Sequence, residues 1–275
     1  MENQVHPIVY LMENQQIEFL PVEGGVFTMG SPEDEYGRQY DEVQHLVSVS
    51  SFYMAKYAVT QELFFSVEKK SPSNYDGNNV PVVDVSWYDA IEFCNSLSKQ
   101  LGLDPYYEID KNIIDPSNEY NYEDIKWSVL RNSQSNGMRL PTEAEWEFAA
   151  RGGVEGMKEY QVYAGSMQID DVACFGYFID GACKDAGPRS VGSKLANRLG
   201  IYDMCGNVEE WCFDWYDSYD VLAVKNPIGA PSGRYRILRG GSWNDDAIVC
   251  RSAKRSMSAS SGKGSSIGFR LVRNF

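Results

Sequence analysis

Arg139-Leu140-Pro141-Thr142-Glu143-Ala144-Glu145-Trp146-Glu147 is the stretch from which the fold is read. Thr142 followed three residues later by Glu145 is a capping box, so a helix starts here, and Gly152 stops it. Glu143, Glu145 and Glu147 alternate along that helix and cannot all share one face. Glu145 is explained by the cap rather than by acid–base chemistry.

Upstream, Trp87, Ala90, Ile91, Cys94 and Leu97 follow the helical period. Ser86 or Asp84 opens that helix and Gly102 ends it. Thr60 caps a further helix through QELFFSVEKK. HLVSVSSFYMAKYAVT reads as two short strands, and residues 103–128 as strand-loop-strand. Phe19–Gly30 alternates around Gly24-Gly25 and predicts a hairpin, and the acidic 31–44 segment predicts a surface loop. Residues 1–19 are expected to be an arm or a first strand. Downstream of Gly153 the periodicity fades into loops and short strands such as RYRILRG and IGFRLVR.

The chain has 275 residues and a net charge of −14, which repels a phosphate backbone and argues against nucleic acid as partner. No apolar run approaches the roughly 20 residues that cross a bilayer. Eighteen tyrosines and six tryptophans are expected mainly in the core, with some left for a binding surface. The cysteines at 94, 174, 183, 205, 212 and 250 form no CxxC pair. Cys174 and Cys183 could close a small loop in an oxidising compartment, whereas Cys94 and Cys212 read as buried free thiols. With only His6 and His45, a histidine metal centre or triad is poorly supplied. Gly24-Gly25 and Gly240-Gly241 lack the context of a phosphate-cradling loop.

Several segments stand in a telling order, with Tyr57-Ala58-Val59-Thr60-Gln61 between the first two. Gly25-Val26-Phe27-Thr28-Met29-Gly30 precedes Pro81-Val82-Val83-Asp84-Val85-Ser86-Trp87 and then the 139–147 stretch. Gly200-Ile201-Tyr202-Asp203-Met204-Cys205-Gly206-Asn207-Val208-Glu209-Glu210-Trp211 follows, with Arg239-Gly240-Gly241-Ser242-Trp243 and Ile267-Gly268-Phe269-Arg270 behind it. Over residues 20–273 this order resembles the formylglycine-generating-enzyme family. The resemblance implies one α+β domain over 20–275, of the C-type-lectin type with much irregular structure.

The enzymes of that family hold copper on two cysteines between the GGS and GFR motifs, as a soft thiolate pair would. Here the segment carries Cys250 alone, and Asp245 stands where the first enzyme cysteine is expected. No copper and no enzyme activity are therefore expected, the alternatives being a formylglycine-generating or related oxidoreductase and a plain non-catalytic family member. Instead, region 239–270 resembles the variable region of retroelement-diversified proteins of the treponemal variable-lipoprotein type. Most residues at 244–249 and in the serine-rich 256–266 loop are of types reached from an Asn codon in one or two steps, whereas Lys254, Met257 and Lys263 are not and should be fixed positions or arise from other codons.

The resemblance implies ligand-contacting positions at Trp243, Asn244, Asp245, Asp246, Ile248, Val249, Ser256, Ser258, Ser260 and Ser261, lying together on one exposed face. Arg239–Trp243 and Ile267–Arg270 would be framework, with Trp243 and Tyr235 as aromatic anchors. It also implies calcium at Gly206, Val208 and Glu210, with Asp171 and Val172 as a second set. The expected partner is a protein or other surface ligand. The expected setting is an exported, surface-anchored lipoprotein without its leader here, acting as a monomer, with a cytoplasmic location as the alternative.

Overall fold

Thr60, Ser86 and Thr142 each start a helix by accepting a hydrogen bond from the amide three residues on. They open α1 (Gln61–Glu68), α2 (Trp87–Gln100) and α3 (Glu143–Ala150). Of the two candidate caps of α2, Ser86 fills the role, accepting from Asp89 N at 3.1 Å and donating its own N–H to Asp89 Oδ2 at 2.9 Å. The box on α3 has the same form, with Glu145 N on Thr142 Oγ1 at 3.2 Å and Thr142 N on Glu145 Oε2 at 2.9 Å. Gly152, at φ +81°, ends it. The computed structural model describes residues 6–75, 77–176, 178–179, 182–183, 186–219 and 222–275.

Both ends of the chain enter one five-stranded sheet. Its spatial order is Ile8–Met12, Gln15–Val22, Phe52–Ala55, Val272–Asn274, Met138–Arg139. Ile17 and Phe19 are core residues, so the N-terminal hairpin belongs to the domain and is not a loose arm. A second sheet is built on the signature segments. Arg255–Ser258, Arg236–Arg239, Glu209–Trp215 and Ile267–Gly268 lie side by side, the last pair parallel. A third sheet joins Val224–Lys225, His45–Val49 and Gly25–Met29, and Tyr107–Ile114 pairs with Trp127–Arg131.

The expected hairpin around Gly24-Gly25 does not form. Gln15–Val22 pairs with Phe52–Ala55, and Gly25–Met29 pairs with His45–Val49. The glycines carry the chain from one sheet to the next. A Cβ on Gly24 would lie 2.6 Å from Ser51 N and from Val49 O, so only glycine lets the backbones pass.

Two apolar clusters fill the interior. One gathers α2 with Trp87, Ile91, Phe93, Trp211 and Phe269; the other gathers α3 with Trp146, Phe148, Phe27, Cys212 and Ile237. The aromatics divide as expected between core and surface. Trp87, Trp146 and Trp211 are fully buried, whereas Tyr36, Tyr40 and Tyr122 are more than 80% exposed. Cys94 and Cys212 are buried free thiols. Cys174 is also free, its Sγ 3.3 Å from Ser193 Oγ. The side chain of Cys183 lies outside the described residues. Among the described residues no helix is long and apolar enough to cross a membrane.

Candidate ligand-binding face and its buried support

The chain between Arg239 and Arg270 is held from beneath by arginines. Arg239 is fully buried. It donates to the carbonyls of Ala253, Lys254 and Ser252 at 2.9, 2.6 and 3.0 Å, and pairs with Glu147. Arg255 pairs with Glu143 through Nε at 2.7 Å and Nη2 at 2.9 Å. Arg251 reaches Glu42 at 2.7 Å, Glu35, and the Gly37 carbonyl at 2.8 Å. Arg270 grips Glu210 and also donates to the Ala55 and Tyr202 carbonyls at 3.0 and 2.8 Å. Planar guanidinium groups suit this work because one fork satisfies a carboxylate and several carbonyls together.

These arginines explain two sequence features. Glu143 and Glu147, four residues apart on α3, face inward to Arg255 and Arg239, while Glu145 faces the other way to Arg139 at 2.7 Å. Glu35 and Glu42 make the acidic 31–44 segment more than a solvated loop, because their side chains are buried on Arg251. The signal was the i,i+4 acid pair together with arginines in the later strands.

Above this support lie the residues singled out in the sequence. Asn244 and Asp246 are exposed; Asp245, Ile248, Val249, Ser256, Ser258 and Ser261 are half-buried. Asp246 Oδ1 accepts from Ile248 N at 3.1 Å, and Asp245 Oδ2 accepts from Ser242 Oγ at 2.5 Å. Trp243 is 8% exposed, and its indole donates to the Ser265 carbonyl at 3.1 Å, which ties the first segment to the end of the second. Ser260 departs from the expectation. It is fully buried, and its carbonyl accepts from Trp87 N at 3.1 Å, so it belongs to the seat of α2 and not to an exposed face. Gly240 and Gly241 have φ of +99° and +66°, angles that side chains avoid. A Cβ on Gly241 would also lie 2.9 Å from Cys250 Sγ.

Glu209 stands where the two segments meet. Burial, with the charge of Asp245 adding, pushes its carboxyl up to about 7, against the pull of Ser256 and Lys254. Its neighbour Glu210 turns the opposite way into the core, as adjacent strand residues must. Cys250 is fully buried, and burial holds its thiol well above the ordinary range. Nothing in the residues around Glu209 marks it as a site residue, because its partners come from segments more than 35 residues away.

Glu210 is occupied: Arg270 Nη2 donates to Oε1 at 2.7 Å and Trp146 Nε1 to Oε2 at 2.8 Å. Asp171 is exposed, with Oδ2 accepting from Ser166 Oγ at 2.9 Å and its carbonyl from Leu195 N at 2.9 Å, while Val172 is buried. Asp203, which sequence reasoning missed, fits a cation better. It is 5% exposed, Oδ2 accepts from Gly192 N at 2.7 Å, and Oδ1 has no hydrogen-bond partner. Burial, and to a smaller degree the charge of Glu210, raises its carboxyl to about 6. A buried carboxylate oxygen without a donor among the described residues, three positions before Gly206, can supply one of the roughly six to eight oxygens that calcium takes. Among the described residues, no three His, Cys, Asp or Glu side chains converge.

Comparison with known proteins agrees with this geometry. The chaperone protein LppX of Paenibacillus barcinonensis is 38% identical over 242 residues, covering 83% of this chain and 82% of that protein. The formylglycine-generating enzyme of Mus musculus is more distant, at 25% over 293 residues, covering 93% of this chain and 74% of the enzyme. Among solved structures, Treponema denticola variable protein 1 superposes with a TM-score of 0.85 at 28% identity, over 99% of this chain and all of that one. The last likeness supports the α+β C-type-lectin-like architecture and the treponemal variable-protein resemblance. Residues 10–275 match the sulfatase-modifying factor enzyme 1-like domain, and the chain belongs to that family.

Proposed function

We propose that this chain is a non-catalytic, monomeric ligand-binding protein that displays an exchangeable surface on a formylglycine-generating-enzyme-like scaffold. Retroelement diversification of residues 244–261 and export to the cell surface as a lipoprotein are part of the proposal. The observation that carries it is the division of labour within 239–270. Buried arginines hold the backbone carbonyls from below, so the exposed side chains of Asn244 and Asp246 and the half-buried Ser256, Ser258 and Ser261 can change without unseating the loop.

The absence of family chemistry is argued from the same segment. Asp245 replaces one thiol, and the thiol that remains, Cys250, is buried and held protonated, whereas copper and nucleophilic chemistry need a thiolate. A chaperone-type role, carried by the name of the Paenibacillus relative, also asks for a binding face without chemistry. We assign calcium a structural place at the carbonyls of Gly206 and Val208 with Asp203 Oδ1. There it would neutralise a buried carboxylate and fix the turn beneath the face.

Randomising Asn244, Asp246, Ser256, Ser258 and Ser261 together should leave most library members folded and yield binders to several unrelated targets. A near-copy of the 3′ coding segment, differing at adenines and close to a reverse transcriptase gene, is expected in the flanking DNA. Aldehyde formation on a sulfatase-motif peptide with copper supplied, abolished by Cys250→Ser, would overturn the reading.

A further inference from the structure

A cavity of about 550 Å³ lies between the start of α3, the end of the Glu209–Trp215 strand and segment 224–231, with Arg255 on its wall. That volume suits a small organic molecule. Much of its wall is hydrocarbon, from Met29, Val224, Pro227, Ile228 and Pro231. Asp214 forms part of the wall and is only 3% exposed. One of its oxygens accepts from Glu143 N at 3.0 Å; the other makes no hydrogen bond to any described residue.

Asp214 has no ion pair with any described residue, and the buried arginines nearby are committed elsewhere. Glu143, the other buried acid on the wall, is neutralised by Arg255 at 2.7 and 2.9 Å and accepts from Tyr219 OH at 3.0 Å. Arg236 is stacked between Trp87 and Trp215, at 3.8 and 3.4 Å from the ring centres, and donates to the Phe213 carbonyl at 2.7 Å. Lys225 stands exposed at the mouth. A buried carboxyl without a partner is costly unless it is protonated or recruits a cation. Burial and the charge of Glu143 accordingly push it up to about 8.

We propose that this cavity is a second binding site, for a small primary ammonium compound whose charged head pairs with Asp214 and whose short apolar body packs against Pro227 and Ile228. An anion would meet Asp214 and Asp217 with the same sign, because Arg255 on the same wall is already paired with Glu143 and only Lys225 at the mouth is left to offset them. A neutral hydrophobe would leave the Asp214 carboxyl uncompensated. The inference stands on the cavity alone and survives if the display face proves to be ordinary.

The test is titration of the full chain with n-pentylammonium, 1-pentanol and pentanoate at pH 8, followed by NMR. Pentylammonium should bind saturably, and at least about tenfold more tightly than pentanol, as for a hydrogen bond to a charged group. Asp214→Asn should remove that preference, and Ile228→Trp, which fills the cavity with its carboxyl intact, should abolish binding. Equal binding of amine and alcohol, no saturable binding of either, or unchanged amine affinity in Asp214→Asn overturns the proposal. If Asp214→Asn does not fold, the amine–alcohol comparison and Ile228→Trp decide it.

Discussion

Replacing Arg239 with Met tests whether the display segment is held from beneath. The substitution keeps much of the side-chain volume and deletes the fork. It removes three hydrogen bonds to the carbonyls of Ser252, Ala253 and Lys254 and the ion pair with Glu147. Each carbonyl bond contributes roughly 0.5–1.5 kcal/mol and the charge-assisted bond roughly 1.5–3 kcal/mol. Glu147 would keep Arg151 at 2.8 Å and Gly30 N at 2.9 Å, so its charge is not wholly abandoned. That places the loss at the range for one broken buried pair, about 3–5 kcal/mol, out of a typical stability of about 5–15 kcal/mol. Arg239→Lys keeps the charge without the fork and should fall between. Exchanges at Asn244, Ser256 or Ser258 should stay within about ±0.5 kcal/mol. Urea unfolding followed by tryptophan fluorescence gives all five values on one scale, and limited proteolysis should cut first near 252–254 in the Met variant. If Arg239→Met costs under about 1 kcal/mol, or Asn244 and Ser258 prove as costly as Arg239, the backbone is not held from below and the argument for an exchangeable surface fails.

Stability should also depend on pH, with opposite signs from two sets of carboxyls. Asp203 and Asp214 are raised to about 6 and about 8 by burial, so their contribution is fully present below the ordinary carboxylate range and is lost as pH rises through 6 and 8. Glu145 and Glu147 are buried but lowered, by Arg139 and by Arg151 with Arg239 respectively, so their contribution is lost as pH falls below the ordinary range. Melting temperature in the presence of chelator should therefore peak near the ordinary carboxylate range, at roughly pH 4, and decline as pH rises toward about 8, with Asp214→Asn flattening the decline; a steady rise from pH 6 to 8.5 would count against the assignment. Millimolar calcium should raise the melting temperature of the wild type and not of Asp203→Ala, and an equal response in both variants removes calcium from that turn.

The local elements were legible because their causes are local. Thr142 with Glu145 and the apolar period of α2 dictate helices through contacts three or four residues apart, and they formed as read, while the choice of Ser86 over Asp84 as the cap of α2 came with the structure. Glycine at 240 and 241 and the lone thiol at 250 were likewise plain in the sequence. Two things belonged to the tertiary structure. The first is strand partnership: Gly24-Gly25 looks like a hairpin turn until Val49 and Ser51 press against it and send its two strands into different sheets. The second is the fate of charge. Glu35, Glu42, Glu143 and Glu147 look like surface acids, and only the approach of Arg239, Arg251 and Arg255 from about 90 to 215 residues away makes their burial affordable. Asp203 and Asp214 are the reverse case, carboxyls that folding buries without giving either an ion pair. A sequence displays its charges, but which of them lose water, and which of those find a partner, is decided by contacts between distant segments.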